Sequence, residues 1–144
     1  LLFDPEDPAA IAGAIARLEW SADEVAEDNS ELLAEACRQL GAYFAGSLRA
    51  FDLPVALRPG LPGEVMLAMM AIPFGETRTY GDLARALGAP PQAVGQACGA
   101  NPVPIIVPCH RVLGARGLGG FSAPGGVETK VALLRHEGAA ALLL

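Results

Sequence analysis

The chain has 144 residues, 52% hydrophobic and 18% charged, which excludes a disordered tail and suffices to bury a core as one domain or two small lobes. Ten basic against sixteen acidic residues give a net charge of −6, split as 3 Arg and 10 acids (net −7) in residues 1–50 and 6 Arg, 1 Lys and 6 acids (net +1) in residues 51–144. An acidic protein is a poor nonspecific polyanion binder, but here the repulsive charge sits in the first third and leaves the remainder free to approach phosphate.

Along the chain, an acidic, turn-rich opening around Pro5 and Pro8 leads to a helical pattern at Ala9–Leu18 and an acidic segment, Ser21–Asn29. Ser30 can cap a helix over Glu31–Tyr43, where Leu32, Leu33, Ala36, Leu40 and Tyr43 recur at helical spacing, and Gly46 can stop it. Phe51–Gly63, with Pro54, Pro59, Gly60, Pro62 and Gly63, reads as a connection, so the expected division is an N-terminal lobe 1–55, a linker 56–63 and a C-terminal lobe 64–144. Glu64–Ile72 is an apolar helix ended by Pro73; Phe74–Thr77 is a turn. A helix from Thr79 or Tyr80 to Leu87, the break Gly88–Pro91 and a helix over Gln92–Gly99 have the pattern of a helix-turn-helix. In Asn101–Leu113 three prolines punctuate a β-branched run, suppressing helix and central strand and predicting a rigid extended segment that delivers Cys109. Gly114–Gly126 is a glycine-rich loop, and Val127–Glu137 a closing helix with Val127, Val131 and Leu134 on one face, ended by Gly138.

No apolar run reaches the ~20 residues of a membrane span. No basic stretch leads into an apolar one at the start, so no secretory leader is expected. The three cysteines (Cys37, Cys98, Cys109) lack a CxxC and the only histidines are His110 and His136, which argues against a disulfide framework and a structural metal and favours a reducing, cytoplasmic setting. Among these residues Cys109-His110 carries the sharpest chemical reading. A thiolate is the nucleophile, a neighbouring imidazole can generate it, and Glu137 is the carboxylate available to orient that imidazole. Neighbours in an extended chain point opposite ways, so the pair needs a local turn or a bridging water. Cys37, on an amphipathic helix, reads as core filler, and Cys98 as core or as lining of the same cavity.

The run Pro-Val-Pro-Ile-Ile-Val-Pro-Cys-His-Arg-Val at 102–112 resembles the active-site signature of the O6-alkylguanine-DNA alkyltransferases, the methylated-DNA–protein-cysteine methyltransferases. The likeness extends upstream through Ile72–Thr77, Tyr80–Ala84, Ala93-Val94-Gly95 and Asn101-Pro102, and downstream through Gly126–Glu128, Lys130 and Leu133–Gly138, covering residues 40–138. It implies an α/β protein: a small ribonuclease-H-like N-terminal lobe, here truncated or divergent, and a helical C-terminal lobe with a helix-turn-helix and an active-site loop. It further implies a monomer that flips a damaged base out of double-stranded DNA from the minor groove, with no cofactor and no metal. Cys109 would take the alkyl group of O6-alkylguanine, or of O4-alkylthymine, irreversibly. By the same resemblance His110 accepts the thiol proton through a water, Glu137 orients the imidazole, Tyr80 donates to guanine N3 and Asn101 holds the turn before the active-site segment. The backbone at Cys109 and Val112, with Cys98, lines the base site, and Ser122 approaches O6. Gly81, Gln92, Ala93, Arg111 and Ala115 would face DNA.

The chain departs from the family pattern in having Gln92 where an arginine usually precedes Ala-Val-Gly, a shorter turn at Gly88–Pro91, and Gly60–Glu64 in place of a polar approach to the first helix of the lobe. Two other functions compete: an alkyltransferase-like damage sensor without transfer, which Gln92 favours and the presence of Cys109 opposes, and a thiol hydrolase built on Cys109, His110 and Glu137. Glutamine can hydrogen-bond an orphaned base but brings no guanidinium to phosphate or to the stack. Gln92→Arg is therefore expected to raise the single-turnover rate of alkyl transfer; an unchanged rate would refute a role for this position in flipping.

Overall fold

The computed structural model describes residues 30–119 and 125–139. The expected helix at 9–18, the acidic segment 21–29 and Ser122 lie outside them. The chain divides into two units, Leu2–Val55 and Ala56–Leu144.

In the first unit, helix α1 (Ser30–Phe44) buries Ala36, Gln39, Leu40 and Tyr43. The Gln39 amide imitates a backbone partner: Nε2 donates to the Asp52 carbonyl at 3.0 Å and Oε1 accepts from the Asp52 N–H at 2.9 Å. Tyr43 packs against Phe44 and Phe51, with ring centroids 5.0 and 5.4 Å apart. Gly46 takes the left-handed conformation expected of a helix stop, φ 85°. Cys37 is exposed, which corrects its reading as core filler: it falls outside the stripe of α1 that buries Ala36, Gln39, Leu40 and Tyr43.

The second unit opens with α2 (Leu61–Met70), which buries Gly63, Val65, Met66 and Met69. It starts three residues earlier than its apolar run suggests, because Pro62 sits in the first turn, where a missing N–H costs nothing. After a turn closed by Glu76 N–H to the Pro73 carbonyl at 3.0 Å comes β1 (Arg78–Thr79). Helix α3 (Tyr80–Leu87) begins with a capping box: Thr79 Oγ1 accepts from Asp82 N–H at 3.0 Å and Asp82 Oδ2 accepts from Thr79 N–H at 2.9 Å. Gly88, φ 63°, ends α3, and α4 (Pro91–Gly99) follows. Helices α2, α3 and α4 pack on one another around Val65, Met69, Leu83 and Val94. A short 3₁₀ turn (Cys109–Arg111) and β2 (Val112–Leu113) lead to α5 (Gly126–His136). Strands β1 and β2 pair in parallel, Arg78 with Val112 and Thr79 with Leu113. Neither strand is visible in the sequence, since two residues show no alternation; the pairing nevertheless ties the entrance of α3 to the exit of the Cys109 turn.

Between α4 and that turn the chain is tied by hydrogen bonds and is not extended. Val107 N–H bonds back to the Val103 carbonyl at 2.9 Å, and Ile105 sits at φ 76°, a left-handed conformation costly for a β-branched residue (~1–3 kcal/mol). Asn101 holds this loop shut: Nδ2 donates to the Val107 carbonyl at 2.8 Å and Oδ1 accepts from Val103 N–H at 3.1 Å, both buried. Asn101→Ala removes the partner of the Val103 N–H and one of the two donors to the Val107 carbonyl and releases the loop, so it is expected to lower unfolding free energy by about 1–3 kcal/mol in urea denaturation. Asn101→Asp, which keeps only the acceptor, is expected to recover part of that loss.

Candidate active site

The site is assembled around one carboxylate. Glu137, immediately after α5, has a fully buried side chain, and its oxygens are saturated by donors from the Cys109 turn. His110 Nε2 lies 2.7 Å from Glu137 Oε2; Arg111 donates from Nε to Oε1 at 2.8 Å and from Nη2 to Oε2 at 3.0 Å. The third guanidinium nitrogen, Nη1, donates to the Ile72 carbonyl at 2.7 Å, just beyond α2. Gly75 N–H approaches Oε1 at 3.5 Å; a side chain at Gly75, φ 83°, would press on the Glu137 carbonyl. A bidentate arginine is the kind of partner with which a buried carboxylate is tolerated.

This geometry corrects one expectation. Arg111 is 6% exposed and each of its three nitrogens bonds inside the protein, so it is a buried strut of the site rather than a surface contact for phosphate.

His110 is wholly buried, and burial pushes its imidazole below the ordinary range despite the opposing pull of Glu137. The ring is therefore neutral at rest. With Nε2–H donated to Glu137, Nδ1 carries the free lone pair; it is buried and, among the described residues, has no hydrogen-bond partner. A neutral imidazole held by its far nitrogen, with the near one unsatisfied, is a base awaiting a proton.

Cys109 begins the 3₁₀ turn that ends at Arg111. The bending of the chain that begins at Val103 continues past Pro108, where Cys109 N–H bonds the Val107 carbonyl at 2.8 Å. This is a local turn of the kind that the adjacent Cys109-His110 pair calls for. Cys109 is 6% exposed, and burial raises its thiol; hydrogen bonding from Asn101 and the Lys130 charge oppose that shift. Burial therefore favours the thiol over the thiolate, in keeping with an expected proton transfer from the thiol to the imidazole.

Tyr80, first residue of α3, is half-buried, and its hydroxyl is pushed up by burial and by Cys98 and Cys109, so it stays a proton donor. The backbone of Gly119 lies against that ring: an added Cβ there would meet Tyr80 Cε2 at 3.0 Å and the hydroxyl at 3.2 Å. Cys98, on the inner face of α4, is buried and pushed up to about 12, chiefly by burial. Cys98 and Cys109 are both neighbours of Asn101, whose N–H bonds the Cys98 carbonyl at 3.2 Å. Val112 is fully buried, and its carbonyl already accepts from Lys130 Nζ at 2.7 Å. Gln92 and Ala115 are exposed, while Gly81 and Ala93 are partly buried.

Sequence reasoning assigned Lys130 no part in the site. It is the single lysine of the chain, completely buried, with Nζ 6.0 Å from the centroid of the Tyr80 ring. A signal was present: positions 127, 130, 131 and 134 fall on one helical stripe, so the lysine interrupts an otherwise apolar face. No group of three or more His, Cys, Asp or Glu side chains able to hold a metal occurs among the described residues. Nor is any of their helices long and apolar enough to cross a membrane.

Comparison with known proteins gives a consistent result. Residues 62–139 match the family profile of the 6-O-methylguanine DNA methyltransferase DNA-binding domain. The chain is 48% identical over 114 residues to the methylated-DNA–protein-cysteine methyltransferase of Mycolicibacterium paratuberculosis, covering 76% of this chain and 68% of that one. It is 48% identical over 115 residues to the protein of the same name from Methanosarcina acetivorans, covering 77% and 72%. The crystal structure of Mycobacterium tuberculosis OGT in complex with DNA superimposes with a TM-score of 0.69 at 48% identity, over 75% of this chain and 67% of that one. The chain thus spans about two thirds of the length of these relatives. The turn that presents Cys109, the carboxylate that secures it and the relatives that share its sequence lead to one assignment: the chain belongs to the methylated-DNA–protein-cysteine methyltransferases.

Proposed function

We propose that this chain repairs DNA directly, by moving an alkyl group, methyl first of all, from O6-alkylguanine or O4-alkylthymine in duplex DNA to Cys109 and keeping it. The observation that carries the proposal is the buried relay Glu137–His110 ending in an unsatisfied Nδ1, in the same 3₁₀ turn as Cys109. The Cys109 thiol gives its proton through a bridging water to His110 Nδ1, and the imidazolium is stabilised by Glu137. The sulfur attacks the alkyl carbon as its bond to O6 breaks; the electron pair passes into the ring, and Tyr80 donates a proton to N3. A thioether has no leaving path, so each molecule acts once.

An alkyl carbon inside the stack cannot meet the sulfur in line, so the base must be extruded. The α3–α4 pair enters the minor groove, with Gly81, Gln92, Ala93 and Ala115 toward DNA and Ser122, Cys98 and the Cys109 and Val112 backbone around the base. The remaining parts of the reading are an N-terminal lobe to residue 55 of ribonuclease-H-like type, a linker 56–63, a C-terminal lobe 64–144, and a cytoplasmic monomer without cofactor.

Intact-mass analysis after incubation with a duplex bearing one O6-methylguanine tests this: one methyl mapped to Cys109, with no turnover, is expected. Duplex binding without a mass change indicates a damage sensor and overturns transfer. Cys109→Ser should abolish transfer and leave affinity for the duplex intact.

Glu137→Gln leaves Arg111 unpaired and removes the acceptor that fixes the His110 tautomer. It should slow single-turnover transfer by about 10²–10⁴-fold and cost about 3–5 kcal/mol of stability. The lowered His110 imidazole also sets the pH response. The folded protein declines a proton that the unfolded chain accepts near 6.5, so stability falls as pH drops through that range. Below it the base stays free, and the acid limb of the transfer rate should lie on the acid side of 6.5; a limb at or above the ordinary imidazole value would contradict the relay.

A further inference from the structure

Most cations of the Ala56–Leu144 unit are already engaged. Lys130 and Arg111 are buried, Arg78 pairs with Glu76 at 3.2 Å, and Arg85 pairs with Asp82, whose second oxygen caps α3. Among the described residues, Arg58, Arg116 and Arg135 are the arginines of this unit without an ion pair, and all three are exposed. Arg58 precedes α2, and Arg135 lies in the last turn of α5. Arg116 is placed differently, on a loop fixed at both ends to the head of α3. Leu113, at its start, pairs with Thr79, and Gly119, at its end, lies against the Tyr80 ring. Between them a bridge joins Gly114 to Gly117, with Gly117 N–H donating to the Gly114 carbonyl at 3.4 Å, and sets Arg116 in the turn. The turn is bare. Ala115 and Gly117 flank the arginine, both are exposed, and a Cβ added at Gly117 would meet nothing within 4 Å.

We infer that Arg116 is the phosphate contact of this loop, a guanidinium that binds the sugar-phosphate backbone of the duplex beside the nucleotide presented to Tyr80 and Cys109. The inference rests on the duplex substrate proposed above. A phosphate contact positions the nucleic acid without reading its sequence, and a guanidinium can take two phosphate oxygens at once. Arg116 has no carboxylate to leave, whereas Arg85 would have to give up Asp82 to make the same bond. Its neighbours contribute no more than one methyl group, so the backbone of the duplex can come close. Gln92, exposed in the first turn of α4, brings an amide and no charge to the same task. The charge also has weight in sum: residues 51–144 carry a net +1, and loss of one arginine takes that stretch to zero.

Fluorescence anisotropy tests this with two labelled duplexes, one undamaged and one bearing a single O6-methylguanine, titrated between about 50 and 200 mM salt. Arg116→Gln should make the slope of log K against log salt shallower by about 0.9 and weaken both duplexes by the same factor. Arg116→Lys keeps the charge and should keep the parent's slope. Arg135→Gln, which removes the same charge from the end of α5, should keep it as well. An Arg116→Gln protein that is folded by circular dichroism and has the parent's slope would overturn the inference and leave alkyl transfer standing. An equal loss of slope in Arg135→Gln would reduce the effect to net charge and overturn it too. A loss confined to the damaged duplex would assign Arg116 to the base and refute the phosphate contact. Failure of the parent to bind either duplex would count against the proposed function itself, which the mapped methyl on Cys109 reads separately.

Discussion

One buried carboxylate organises the C-terminal unit. Glu137 closes α5, takes both hydrogen-bonding arms of Arg111 and fixes the imidazole of His110. A guanidinium paired in two places is what makes a buried carboxylate tolerable, and a carboxylate on Nε2 of His110 favours the tautomer with hydrogen there. That choice of tautomer leaves the opposite ring nitrogen with its lone pair, buried and without a hydrogen-bond partner among the described residues.

Around this anchor the chain adopts conformations that are locally unfavourable. Ile105 is forced to a positive φ, three prolines remove backbone donors, and a lysine is carried wholly out of water. Such costs persist where surrounding bonds over-determine the structure. Asn101 does so for the loop by bonding both sides of the Ile105 turn, and the Val112 carbonyl does so for Lys130.

What the sequence disclosed, and what it hid, divides along physical lines. Helices with caps and stops were readable: Thr79 and Asp82 announce α3, Gly88 ends it, and the closing helix stops before Gly138. The contact between His110 and Glu137 was readable because a Cys-His pair calls for a third group and Glu137 was the carboxylate at hand. The 3₁₀ turn was not, since prolines exclude helix and sheet but do not select among irregular courses. The fate of Arg111 was hidden for a different reason: an arginine's stem and fork serve a buried carboxylate as readily as a phosphate, and only long-range packing against Glu137 and Ile72 distinguishes them. Lys130 escaped because a single polar residue on an apolar stripe looks like noise until its depth is known.

The reach of Arg111 to Ile72 has one more implication. The segment that follows Ile72 runs through Gly75, whose N–H approaches the same carboxylate, into β1 and then to Tyr80 at the head of α3. The side chain that would accept a proton and the one that would donate it are therefore surveyed from a common benchmark, although they lie thirty residues apart in the chain. Drift in that benchmark shifts both ends of the reaction coordinate together, so natural variation at residues 72–75 should be filtered as stringently as variation beside the sulfur.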